Sequence, residues 1–371
     1  MGITAILVTV TLSFSMIIIL LITLYPLFAW LRSVFFRNDV KKSSSYIRPV
    51  SIIIAAYNEE KYIRQKLDSF LDPDEWIEGS EIIVVSKGST DLTNEILSEY
   101  VHFPGMKIII EQGMASKIMS VNRGVKEAKH DLLVFSDCRQ VMKKGSVKNM
   151  IRNFNDPDVG TVNSTLTDEG EGKRISFRSF LNFISRCESL SGSSLNVFGA
   201  LYAQRRSVFR EFPDDILFDD LFVVVSTILQ KKRLVNEDSA VIYDIPFSDY
   251  YVKDRINRLA RGLLIFLFNH YKMIFSLPFN YSFRFIIFKY LKLILPFVLL
   301  FLGLDIAYFC IEYIPFNILL ISLLFLSSLL IVKPIRRFAF HFFQINFHFL
   351  IATLQFLFLN NRSNKWEKLR I

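Results

Sequence analysis

Between Lys117 and Arg139 the sequence KIMSVNRGVKEAKHDLLVFSDCR reads as a helix, with Lys117 and Asn122 near its start, feeding a short apolar strand, Leu132 to Phe135. That strand ends at Ser136-Asp137-Cys138-Arg139. Ligands of open α/β sheets sit at the carboxyl ends of the strands, so Asp137 is placed to face a binding crevice; an ordinary strand-end turn is the alternative. Ser86-Lys87-Gly88-Ser89-Thr90-Asp91 combines a tight turn with hydroxyls that open a helix. Such a turn suits a ribose or a phosphate, and it suits a plain helix cap as well. Asp219 and Asp220 precede the apolar run Leu221 to Leu229, where the helix dipole favours acidic residues.

These residues need a scaffold, and the surrounding pattern supplies one. Val50 to Ala55, Glu81 to Val85, Lys107 to Ile110 and Leu132 to Phe135 are short apolar runs rich in β-branched residues. Between them, Glu59 to Phe70, Asp91 to Tyr100 and Lys117 to Lys129 have helical composition. Apolar runs separated by helices predict an α/β fold with a mostly parallel sheet, buried on both faces. The first run ends at Ala55-Ala56-Tyr57-Asn58-Glu59-Glu60, a second polar strand end. Further on, residues 171–196 mix Arg, Ser and Phe at roughly helical spacing, and Asn236 to Asp244 reads as a late strand.

Composition adds a membrane. Hydrophobic residues make up 51% of the chain, with 37 Phe, and the mean hydropathy is positive. Ile3 to Trp30 carries no charge and exceeds the ~20 residues that span a bilayer. Its basic flank (Arg32, Arg37, Lys41, Lys42, Arg48) lies only on the C-terminal side, which predicts an uncleaved anchor with the following domain cytoplasmic. Leu263 to Phe279 reads as an interfacial amphipathic segment, and Leu291 to Cys310 and Pro315 to Val332 as spans. Phe338 to Leu359 carries a polar stripe of His341, Gln344, His348 and Gln355, so it either lies in the interface or spans with that stripe against other helices. The expected layout is an anchor at 1–34, a cytoplasmic domain at 46–262 and an interfacial and transmembrane region at 263–371, in the cell (inner) membrane. The net charge of +9 gathers beside the apolar segments, which suits lipid headgroups and not nucleic acid. The three cysteines lack metal or disulfide spacing and suit a reducing compartment.

With these pieces in order, the chain resembles the family 2 glycosyltransferases, in the membrane-bound group that includes the cellulose, hyaluronan and poly-N-acetylglucosamine synthases. The resemblance is carried by SIIIAAYNEE at 51–60, VVSKGSTDLT at 84–93, SKIMSVNRG at 116–124 and LLVFSDCRQ at 132–140. It continues through GALYAQRRSVF at 199–209, FDDLF at 218–222 and RINRLARG at 255–262. It implies a GT-A-like domain in which Ala55, Tyr57, Glu59 and the turn Ser86, Lys87 and Ser89 hold the nucleobase and ribose of a nucleotide sugar. It further implies that Lys117 matches a donor-site lysine and that Asp137 and Arg139 match the aspartate pair that holds the diphosphate and its metal. Asp220, beside Asp219, matches the general base, and Arg258, with Arg255, matches a loop that closes over the donor.

Three departures from that pattern matter. Arg139 replaces the second aspartate, leaving Asp137 as the metal-binding carboxylate and the use of Mg2+ or Mn2+ open. Arg139 either takes over part of the metal's charge neutralisation or pairs with a neighbouring acid. Lys87 stands where relatives place an aspartate, and Leu259 where they place a tryptophan of the acceptor platform. The expected function is an inverting membrane glycosyltransferase that moves a sugar from a UDP-sugar to a lipid-linked or polysaccharide acceptor, with polysaccharide-assembly proteins as further partners. A processive polysaccharide synthase and a catalytically silent nucleotide-sugar-binding scaffold are the alternatives.

Overall fold

The computed structural model describes residues 3–168, 177–244, 252–315, 318 and 332–358. Its contacts group into two compact units: Phe28–Pro246 with Ile265–Ser282 in one, and Met1–Leu27, Phe247–Leu264 and Phe283–Ser363 in the other.

The first unit is built on an eight-stranded sheet. Its first half follows the alternation in the sequence. Strands β1 (Ser51–Ala56), β2 (Glu81–Lys87), β3 (Met106–Glu111) and β4 (Leu132–Ser136) run parallel in the order β3-β2-β1-β4. The residues of β2 from Glu81 to Ser86 are all buried, as expected for a strand covered on both faces. Helices α2 (Ile63–Leu71), α3 (Thr93–Ser98) and α4 (Lys117–Glu127) make the crossovers. Ser116 caps α4 by accepting from the Met119 backbone amide, which fixes where Lys117 begins the helix.

The second half departs from a mostly parallel sheet. After β5 (Val141–Met142) and α5 (Ser146–Ile151) come β6 (Val159–Asp168), α6 (Phe177–Leu190), β7 (Leu201–Arg205), α7 (Asp219–Leu229) and β8 (Arg233–Asp244). β7 pairs antiparallel with both β4 and β6, β6 pairs parallel with β8, and β5 pairs antiparallel with β8. The sheet is therefore mixed. Buried polar side chains stitch these strands: Gln204 Nε2 donates to Thr161 Oγ1 at 3.2 Å and Asn163 Nδ2 to Asn236 Oδ1 at 3.0 Å. These pairings offset much of the cost of burying such groups.

The other unit contains most of α1 (Ile3–Phe35), the first part of α8 (Val252–Phe275), α10 (Leu291–Tyr313) and α11 (Lys333–Phe358). α9 (Phe279–Phe285) and a π-helical turn, Ile286–Tyr290, lead into α10. Among the described residues, Thr9–Phe35 and Phe279–Glu312 are long and apolar enough to cross a bilayer. Inside these stretches Thr11 Oγ1 donates to Asp305 Oδ2 at 2.5 Å. Most of the expected span Pro315 to Val332 lies outside the described residues. On α11, which packs on α10, His341, Gln344 and His348 are half-buried while Phe343 and Phe347 are exposed, so most of the polar stripe lies on the more covered side.

Candidate active site

The carboxyl ends of β1 and β2 are tied into one polar ledge. Asn58 adopts a left-handed backbone, φ 53°, and its side-chain oxygen accepts from the Thr90 amide at 2.8 Å. In return the Asn58 amide donates to Ser89 Oγ at 3.2 Å and the Glu59 amide to Thr93 Oγ1 at 2.7 Å. Ser86 Oγ and Ser89 Oγ lie 2.9 Å apart, and Ser86 also donates to Asn94 Oδ1. Gly88 holds φ +72°, and a side chain there would run into the Gly113 carbonyl. The expected donor-contact residues Ala55, Tyr57, Glu59, Ser86 and Ser89 thus share one edge of the sheet. Lys87 turns away to pair with Glu111 Oε2 at 2.8 Å.

The centre of the site is ionic. Lys117, in the first turn of α4, places its Nζ 3.0 Å from Asp137 Oδ1 at the end of β4 and 3.0 Å from Asp219 Oδ2 at the start of α7. Burial would lower the lysine's pKa, but the carboxylates of Asp137, Asp219 and Asp220 outweigh it and hold the ammonium charged well above the ordinary lysine range. Gly199 leaves room for this meeting. A methyl group there would stand 2.9 Å from Asp220 Oδ1 and 3.3 Å from Lys117 Nζ. Residues far apart in the sequence, Lys117, Asp137, Gly199, Asp219 and Asp220, therefore converge.

Arg139 takes the ion-pair alternative. Its Nη2 lies 2.8 Å from Asp244 Oδ1 on β8, and Arg178 Nη2 lies 2.6 Å from Asp244 Oδ2. Burial raises the Asp244 pKa, yet the two arginines hold its carboxyl below the usual carboxylate range. The stretch Arg255 to Leu259, expected as a closing loop, is helical and lies within α8, with Arg255 exposed and Arg258 half-buried. Both arginines belong to the other compact unit.

Among the described residues no three His, Cys, Asp or Glu side chains converge as a metal cage. Asp137, 37% exposed on its side chain, is nevertheless a carboxylate that solvent and ligands can reach. A divalent ion carried on phosphates needs only one or two protein carboxylates, since phosphate oxygens and water complete its shell, so the residues fit a substrate-borne ion.

Two groups near the site were given no role from the sequence. Lys66 of α2 is buried beneath the Ser136–Gln140 turn, where its Nζ donates to Ser136 Oγ at 3.3 Å and to the Gln140 carbonyl. Burial pushes its pKa down to about 8, while Cys138 and Asp137 pull the other way. A signal existed: Lys66 falls between Ile63, Leu67 and Phe70 on the apolar face of its helix. Tyr202, in the middle of β7, stacks on Phe135 with ring centroids 4.6 Å apart. Burial, then Asp219, Asp220 and Asp137, push its hydroxyl pKa well up. The resemblance had marked its stretch, Gly199 to Tyr202, as lining the donor and acceptor junction, without giving this residue a role.

Comparison with known proteins sets this geometry in context. The model of the family described as glycosyl transferase family 2 matches residues 51–212. Poly-beta-1,6-N-acetyl-D-glucosamine synthase of Staphylococcus epidermidis is 25% identical over 221 residues, 58% of this chain and 50% of that protein. The enzyme of the same name from Staphylococcus aureus strain COL is 24% identical over 204 residues, 52% of this chain and 49% of that one. The chain thus spans about half the length of the curated relatives it matches. A mannosyltransferase of Pyrobaculum calidifontis, solved in complex with GDP-Man and Mn2+, superposes with a TM-score of 0.75 at 20% identity, covering 94% of this chain and 99% of that one. The shared fold is GT-A-like.

Proposed function

From a chain that carries a glycosyl transferase family 2 domain on a GT-A-like fold, we propose an inverting membrane hexosyltransferase that moves a sugar from a nucleotide sugar to a glycan or lipid-linked acceptor. One observation carries this reading: Lys117 bridges Asp137 and Asp219 at the carboxyl edge of the sheet, with Asp220 beside it across Gly199. That cluster pairs a cation suited to a diphosphate with carboxylates suited to a proton.

In this reading the acceptor hydroxyl oxygen attacks the anomeric carbon from the side opposite the diphosphate. The new glycosidic bond forms as the carbon–oxygen bond to the phosphate breaks, and the nucleoside diphosphate leaves with that electron pair. Asp220 takes the acceptor's proton, a contribution of roughly 10²–10⁴-fold. Lys117 opposes the charge growing on the leaving group. Asp137 would hold a Mg2+ or Mn2+ ion carried by the donor, which supplies further charge neutralisation. The ledge of Ala55, Tyr57, Glu59, Ser86 and Ser89 would seat the base and ribose.

The named relatives favour an N-acetylglucosamine-type UDP donor and a polysaccharide acceptor, and the structural neighbour's GDP-Man makes a GDP-sugar the competing donor. The basic residues that follow α1 favour a cytoplasmic catalytic domain. The test is release of nucleoside diphosphate from UDP-, GDP- and dTDP-sugars by the full chain in native-like lipid, with a cell lipid extract or glycan as acceptor. Turnover selective for one donor and lost in Asp220→Asn, with donor binding intact, is expected. Binding without hydrolysis or transfer for every donor would replace the enzyme with a nucleotide-sugar-binding scaffold.

A further inference from the structure

Tyr202 is 1% exposed, and among the described residues its hydroxyl has no hydrogen-bond partner. Buried phenol hydroxyls ordinarily find one, and leaving one unsatisfied costs stability. Phenylalanine would keep the stack on Phe135 and avoid that cost. Geometry sets Tyr202 beside the cluster: it pairs with and stacks on Phe135, two residues before Asp137, and it follows by three residues Gly199, which borders Asp220 Oδ1 and Lys117 Nζ. The carboxylates of Asp219, Asp220 and Asp137 act on its hydroxyl through space, and the hydroxyl makes no hydrogen bond among the described residues at rest.

A change of state supplies the partner. At rest the Lys117 ammonium is shared by Asp137 and Asp219. A diphosphate that engages Lys117 draws this charge away, and Asp219, 7% exposed, loses its counter-ion. A buried carboxylate left without a cation needs a hydrogen-bond donor. A carboxylate released from Lys117 is free to turn its oxygen toward the buried phenol, whose hydroxyl rotates about its C–O bond to aim its hydrogen.

We propose that Tyr202 is a positioning residue whose hydroxyl hydrogen-bonds the Asp219–Asp220 acid pair once a nucleoside diphosphate engages Lys117, holding Asp220 ionised and aimed at the acceptor hydroxyl. The inference rests on the glycosyl-transfer reading above and adds a residue that reading does not use.

The test is Tyr202→Phe in the full chain in lipid nanodiscs, with wild type and Asp220→Asn alongside. Without nucleotide, the variant is expected to melt at or above the wild-type temperature, because no resting hydrogen bond is lost. With donor and acceptor, kcat should fall about tenfold or more, the size of a hydrogen bond to a charged group, while the donor KM stays within about twofold. The rise in melting temperature produced by nucleoside diphosphate should also be smaller than in wild type. Unchanged kcat overturns the proposal. A lower melting temperature without nucleotide also overturns it, since the hydroxyl would then be bonded at rest. A wild type inert toward every donor removes the transfer reading itself, and that failure appears before any variant is compared.

Discussion

Replacing Lys117 with methionine removes the ammonium while keeping most of the chain's bulk, and the structure sets the size of the effect. Each contact from Lys117 Nζ, to Asp137 Oδ1 and to Asp219 Oδ2, is 3.0 Å long. At an effective dielectric constant of about 20, a pair at that distance has a gross attraction of roughly 5 kcal/mol, most of it offset by desolvation. The Asp137 side chain is 37% exposed, so its share is screened to about 1 kcal/mol or less. The Asp219 side chain is 10% exposed, and stranding that carboxylate costs about 3 kcal/mol. Lys117→Met should therefore lose about 3–4 kcal/mol, which in a domain of this size lowers Tm by about 10 °C. Combining it with Asp219→Asn removes the stranded charge, so the double variant should recover at least about 1.5 kcal/mol over additivity. Thermal unfolding of the four proteins in nanodiscs reads the cycle directly. A single variant melting within about 2 °C of wild type, or strict additivity in the double, would refute the ionic account of this site.

Other substitutions probe separate parts of the site. Gly199→Ala sets a methyl group 2.9 Å from Asp220 Oδ1, so turnover should drop about tenfold or more with little change in Tm; normal kcat would show that the carboxylate yields freely. Arg139→Gln leaves Asp244 with Arg178 as its cation and Gln140 as a neutral donor, and should cost about 2 kcal/mol at neutral pH while turnover stays within about threefold of wild type. Because the two arginines depress the Asp244 pKa, its stabilisation is complete above the ordinary aspartate value near 3.8 and fades as pH falls through the lower folded value. The gap in Tm between wild type and Arg139→Gln should accordingly close in acid, and a gap independent of pH would contradict the ion pair. Chelation by EDTA should stop nucleoside diphosphate release and Mn2+ restore it, with Asp137→Asn needing more metal; activity indifferent to EDTA would remove Asp137 from that role.

The parallel half of the sheet was legible because strands buried on both faces need continuous apolar runs, as Ile52 to Ile54 and Ile82 to Val85 show. The mixed half was less so: Asn236 to Asp244 read as a strand and forms most of β8, but β6 and β7 bury Thr161, Asn163 and Gln204, whose polarity reads as surface until their partners across the sheet are known. The same reason hid Lys66, whose burial depends on a carbonyl and a hydroxyl some seventy residues later in the chain. Asp137 and Lys117 could be singled out because strand ends and helix starts are local features. That Asp219 would share Lys117 could not be seen, because the contact joins the starts of two helices, α4 and α7, that are far apart in the sequence. At Arg139 the sequence offered two fates with equal chemistry, and only the position of Asp244 at the end of β8 separates them. Arg255 to Leu259 was read as a loop from its resemblance, although its Arg, Leu and Ala content is that of a good helix former.

The bond between Thr11 and Asp305 gives the amino-terminal helix a second duty. Any sufficiently apolar segment can tether an enzyme to a bilayer, but a borrowed leader would bring no hydroxyl to the depth at which Asp305 sits. An acid stranded there is costly, so a chimera carrying a generic tether should insert normally and still yield little folded protein. In that sense α1 is a matched fitting for α10, and the two must change together.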